Sequence, residues 1–175
     1  MPNKGHAKIK SVRKLQSNSV YLRLAAAGVL LVAAIAILIF SGHGTPTLNS
    51  PCGPYRTDKV VTVGSQKLNT EEAYTQAEKT TGLGGRPCIG SDQAMLFDFG
   101  KPAQYQIWMK DMRFPIDIVW IGTNHKVVGF YNNIQPSTYP DRFVNKPDSP
   151  ARYVLELKAN RGDQLGITIG TPVNF

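Results

Sequence analysis

Histidine and cysteine are scarce in this chain, three of one and two of the other in 175 residues. His6 and His43 lie in the N-terminal arm, which leaves His125 by itself in the remainder. Clustered Cys and His ligands at zinc spacing are therefore missing, and no metal site is expected. A Ser-His-Asp triad would rest on His125 alone, with no nucleophile motif around Ser65, Ser91, Ser137 or Ser149. The glycines are scattered, so no phosphate loop is spelled out. There is no Cys-x-x-Cys redox spacing and no internal repeat. No cofactor is expected.

Acidic residues are missing from the first 40 positions, where Lys4, Lys8, Lys10, Arg13, Lys14 and Arg23 all fall. The formal charge is +8; removing those six cations leaves 14 cations against 12 anions from Ser41 onward, or +2. The basic balance belongs to the arm, and nucleic-acid binding by the rest loses its compositional argument. Residues 1–20 read as a disordered basic tail. Residues 21–40 form an apolar run with Arg23 as its one charge. As a helix this run spans about 30 Å, the thickness of a bilayer core. Its flanking positive charge places the N-terminus in the cytoplasm and the C-terminal part outside. The alternative is a cleaved signal peptide, for which the apolar run is long and no clear small-residue cleavage site follows. Either reading exports residues 58–175.

Residues 41–57 are rich in Gly, Pro, Ser and Thr and read as a linker holding that domain off the membrane. Cys52 lies in the linker and Cys88 in the domain. In an exported protein the two are expected to form one disulfide, worth about 3–4 kcal/mol in the chain-entropy model.

Strands are expected at Lys59–Val63, Met95–Phe99, Gln104–Met109, Ile116–Ile121, Val127–Ile134 and Arg152–Leu157, with one or two more after Ile167. Gly100-Lys101-Pro102 reads as a turn. A helix is expected over Thr70–Thr81, started by an Asn69/Glu72 capping box and ended by Gly82. A short turn follows Asn160. Residues 135–149 carry three prolines and read as a long exposed loop. The fold class is α+β, mainly β: a curled antiparallel sheet or partly open barrel with one packed helix, behind a single transmembrane helix.

Charge and aromatic residues concentrate between Gln106 and Trp120. Lys110, Asp111, Arg113 and Asp117 interrupt an otherwise apolar run, and charges taken out of water need partners. Arg86 is the first candidate to pair with Glu156 or Asp117, because a guanidinium holds a carboxylate in a bidentate fork. Asp117 and Glu156 are also the weak catalytic candidates, since two carboxylates about 5–9 Å apart can run glycoside hydrolysis. Structural pairing with Lys110 or Arg86 is the alternative. Trp108 can stack on a sugar or fill the core; Trp120, among aliphatic neighbours, reads as core. Met95 and Met109 read as core fillers.

The ordered set Gly82-Leu83-x-x-Arg86, Met95-Leu96-Phe97-x-Phe99, Trp108-Met109-Lys110, Pro115-Ile116-Asp117, Tyr153-Val154-Leu155-Glu156-Leu157, Leu165-Gly166-Ile167 and Gly170 resembles the domain of unknown function 192 family. The resemblance runs from about Val60 to the C-terminus. It implies a small, mostly β domain, often exported or tethered to a membrane, with no established reaction. Two positions depart from the family pattern. Asp111 stands where Asn is usual, and Cys88 stands where no cysteine is expected.

The functional expectation is a membrane-anchored extracytoplasmic domain without catalysis. It would bind a small polar or saccharide ligand, or an envelope partner, through Arg86, Trp108, Lys110, Asp111, Asp117 and Glu156. The alternatives are an envelope-glycan hydrolase using Asp117 and Glu156, and a purely structural interaction module.

Overall fold

The computed structural model describes residues 51–146 and 148–175. The basic tail, the apolar run at 21–40 and the linker up to residue 50 lie outside the described residues. Among the described residues, no helix is long and apolar enough to cross a membrane.

Short runs rich in β-branched and aromatic residues build a seven-stranded sheet. Its strands are β1 (Lys59–Val63), β2 (Gln66–Ala73), β3 (Gln93–Ala103), β5 (Ile116–Ile121), β6 (Val127–Ile134), β8 (Ala151–Lys158) and β9 (Val173–Asn174). Their order is β6-β5-β8-β3-β2-β1-β9. All neighbours are antiparallel except β2 and β3, which run parallel. The short β4 (Gln106–Ile107) and β7 (Phe143–Val144) pair with each other apart from this sheet.

The sheet curls until its edges meet. Val63 of β1 pairs with Val173. On the other side of β9, the Val173 N–H donates to His125 O (2.9 Å) and the Val127 N–H to Thr171 O (3.0 Å). The His125 ring stacks on Phe175, centroids 4.5 Å apart, and meets the Tyr153 ring edge-on. This contact covers the start of β6, part of a strand edge that would otherwise invite association.

Both faces of the sheet are covered. The inner face packs Val61, Leu68, Leu96, Val119, Ile121, Leu155 and Leu157. The outer face carries Met95, Phe97, Ile118, Trp120 and Val154, covered by Leu83, Ile89, Ile107 and Met109 from connecting segments. Consequently β5 is buried at every position, and each large aliphatic side chain so placed contributes about 1.5–3 kcal/mol. Trp120 is in the core as expected, its Nε1–H donating to Tyr105 O at 2.9 Å.

Tyr55 fastens the parallel pair. Its buried hydroxyl accepts from the N–H groups of Glu71 and Ala94, both at 3.0 Å, and lies against Asn69 O. Burial raises the pKa of this hydroxyl. Three residues earlier, Cys52 is bonded to Cys88 with Cα atoms 4.8 Å apart. The end of the expected linker is thus stapled and plugged into the sheet.

Three expectations about elements need correction. The helix expected over Thr70–Thr81 is only α1, Gln76–Thr81, because residues 66–73 are β2. The Asn69/Glu72 pattern is a look-alike; the working capping box is Thr75/Glu78. Helix propensity at Glu71 and Glu72 loses to strand pairing, since both carboxylates find cations in the tertiary fold: Arg86 for Glu71 and Lys59 for Glu72. The turn at Gly100-Lys101-Pro102 is instead part of a long β3, with an irregular register between Asp98 and Ala103 and Gly100 at φ 79°. Residues 135–149 are not a plain exposed loop either. They contain a 3-10 turn (Pro136–Thr138), β7 and the buried Asn145, whose amide donates to Ser149 O. The short helix after Asn160 is present as α2, Arg161–Gln164.

Candidate functional site

The first site motif begins where α1 stops. The Gly82 N–H donates to Glu78 O at 2.8 Å, and Gly82 takes φ 52°, a conformation a side chain strains against. A Cβ there would sit 3.4 Å from the Phe97 ring and 3.7 Å from Glu156 Oε2. Leu83 then drops into the core, and the turn brings Arg86 back over β2.

The expected pairing of Arg86 with Glu156 or Asp117 is not made. Arg86 forks onto Glu71, Nη1 to Oε2 at 3.0 Å and Nη2 to Oε1 at 2.9 Å. Arg56 approaches the same carboxylate at 3.6 Å and also bonds Asp58 and Glu78. Bonds from the Thr75 cap and from Arg56 pull the Glu78 carboxyl down to about 2. Arg86 thus belongs to a satisfied ionic cluster.

Asp117 and Glu156 do not face each other. On the paired strands β5 and β8, Asp117 lies opposite Leu157 and Ile118 opposite Glu156. Opposed residues share a face and successive ones alternate. Asp117 therefore points to the inner side and Glu156 to the outer side. The two-carboxylate arrangement for glycoside hydrolysis is not made.

Asp117 is wholly buried and serves the backbone. Its Oδ1 accepts from the N–H groups of Asn133 (2.8 Å) and Asn160 (2.9 Å), and its Oδ2 from Gly162 (2.7 Å). Asn133 and Asn160 both have positive φ. The carboxylate thus pins an irregular end of β6 to the start of α2. Gly162 is required by space as well, since a Cβ there would lie 2.4 Å from the Phe130 ring.

Glu156 has a different environment. It is 5% exposed, and Oε2 has no hydrogen-bond partner among the described residues. Loss of hydration pushes its carboxyl up to about 8, against a smaller opposing pull from Arg86. It lies on the floor of an open cleft of about 200 Å³ between α1 and the β4–β5 connection. Phe97, Phe99 and Ile107 supply apolar wall; Gln76, Thr80 and Gln106 supply polar groups. The rim carries Lys79, Lys110 and Arg142, and Glu156 is the only carboxyl among the described lining residues.

Trp108 stands at this rim, half-buried, with the Arg142 guanidinium 3.7 Å from its ring centroid and Lys110 Nζ at 5.9 Å. Tyr139 meets the ring edge-on. Asp111 sits in the adjoining turn at φ 58°, and its carbonyl accepts from the Gly85 N–H at 2.8 Å. Asn and Asp are the residues that tolerate this conformation, which accounts for the exchange at this position. Of the expected site residues, the structure brings Trp108, Lys110 and Glu156 to one cleft. Arg86 and Asp117 stand apart from its lining. Lys79 and Arg142 were not foreseen; the nearest signal was a basic residue, Arg142, close to Tyr139 in a long proline-bearing segment.

No curated protein matches the chain. Two solved structures are similar to it. One is a suggested transcription regulator from Sinorhizobium meliloti 1021: TM-score 0.59, 27% identity, covering 66% of this chain and 89% of that one. The other is a protein of unknown function from Novosphingobium aromaticivorans DSM 12444: TM-score 0.61, 27% identity, covering 75% of this chain and 94% of that one. The family model described as an uncharacterized ACR matches residues 59–175, every element from β1 to β9. On that match, the chain belongs to the domain of unknown function 192 family.

Proposed function

We propose that this chain is a membrane-anchored, extracytoplasmic binding protein without catalysis of its own. Its cleft takes a small polar ligand, such as a saccharide or another envelope component. Residues 21–40 are the anchor, and the domain faces the oxidising side, where a disulfide such as Cys52–Cys88 persists. The observation that carries the reading is Glu156: a buried carboxyl whose Oε2 has no partner, on the floor of a cleft with cations at its rim. A buried polar group left unpaired costs about 1–3 kcal/mol, and a ligand that hydrogen-bonds it recovers that cost on binding.

The test is saturation-transfer NMR on the full chain in neutral-lipid nanodiscs, against a panel of envelope sugars and fragments. The expected result is a bound ligand whose signal disappears in Thr80→Trp, which fills the cleft mouth from an exposed helical position. A panel with no binder overturns the reading. Protease added to intact cells checks the topology: cleavage of residues 51–175 is expected, and protection until lysis refutes it.

A further inference from the structure

The cleft has an asymmetry that narrows its ligand. Its rim holds three cations, Lys79, Lys110 and Arg142, and its lining holds no carboxyl besides Glu156. Among the described residues, neither Lys110 nor Arg142 takes part in a salt bridge. Lys79 is held inward, donating to Asp98 O beside the Phe99 ring. The Arg142 guanidinium is close enough to Trp108 to be fixed by it. That contact occupies one face of the indole, so Trp108 here backs a cation more than it offers a bare platform for a sugar. A guanidinium fixed in this way is a preorganised fork for a planar oxyanion.

Depth matters too. The exposed cations Lys110 and Arg142 are at the mouth, and the buried Glu156, whose Oε2 has no partner among the described residues, is the deep polar group of the lining. A free inorganic anion would meet the rim and leave the floor unserved. A volume of about 200 Å³ is below the roughly 300–1,000 Å³ of drug-sized sites, and suits about one sugar ring.

We infer that the ligand is an acidic saccharide unit, with its carboxylate held at the rim by Arg142 and Lys110 and a ring oxygen or hydroxyl on Glu156. At neutral pH the raised Glu156 carboxyl retains its proton and donates to that oxygen. The inference rests on the proposed use of this cleft and adds the class of ligand.

The experiment titrates the full chain, in neutral-lipid nanodiscs, with glucuronate, glucose and inorganic phosphate by calorimetry. Glucuronate is expected to bind at least about tenfold tighter than either of the others, a difference of about 1.4 kcal/mol. Arg142→Gln, at an exposed position, is expected to remove that preference. Equal binding of glucose and glucuronate overturns the acidic class while the polar-ligand reading stands. Equal binding of phosphate and glucuronate overturns the saccharide. Binding of none of the three overturns this inference, and if the wider panel is also empty, the cleft reading falls with it.

Discussion

Asp117 and Glu156 sit on adjacent strands, one register step apart, and both are out of solvent. The sheet separates them. Asp117 meets three backbone N–H groups on the inner side, so its charge is fully used in holding β6 and α2 together. Glu156, on the outer side, has an oxygen with no partner and a cleft above it. Burial alone does not distinguish a scaffolding carboxylate from a ligand-facing one. The partner list does.

The largest expected effect is on the scaffolding side. Asp117→Ala removes three charge-assisted bonds and should cost roughly 3–5 kcal/mol in urea denaturation. If it costs no more than Glu156→Gln, the contrast between the two faces collapses. Gly162→Ala, on the same side, forces a Cβ against the Phe130 ring and should cost about 1–3 kcal/mol by the same assay.

The Glu156 side should show itself through pH. Its carboxyl is raised from 4.5 to about 8 in the folded state. Between those values the folded chain binds more protons than the unfolded one, so stability from this group is fully present below about 4.5 and lost as pH rises through about 8. The thermal midpoint should fall across that window, and Glu156→Gln should flatten the fall. A variant that keeps the wild-type slope would assign it to other groups. Arg142→Gln should have the smallest effect, within about 0.5 kcal/mol of wild type at this exposed position. A larger loss would make Arg142 a structural residue and weaken its assignment to a ligand.

Local signals accounted for much of the fold. Lys59–Val63, Ile116–Ile121 and Val127–Ile134 are strands with the expected bounds, and Arg152–Leu157 lies within Ala151–Lys158. In each, a short run rich in β-branched and aromatic residues, bounded by turn residues, marks the strand. The segment around Thr70 misled because Asn69 and Glu72 imitate a cap while the residues that satisfy β2 come from Tyr55, Arg56, Asp58 and Arg86. No local pattern carries partners at that distance. The site was legible by halves. Trp108, Lys110 and Glu156 stood out as charge and aromatic groups in apolar runs. Arg142 did not, because an exposed cation in a proline-bearing segment looks like any solvated one.

By itself, then, the amino-acid order determined where β1, β5, β6 and β8 run, the disulfide as a pair of lone cysteines, and the family. Only the tertiary structure decided that Asp117 and Glu156 point to opposite faces, that Arg86 is committed to Glu71, and that Arg142 is held over Trp108. The physical reason is range. Periodicity and capping act over a few residues, whereas the partner of a buried charge is chosen by whichever strand or turn the folded chain places within about 4 Å of it.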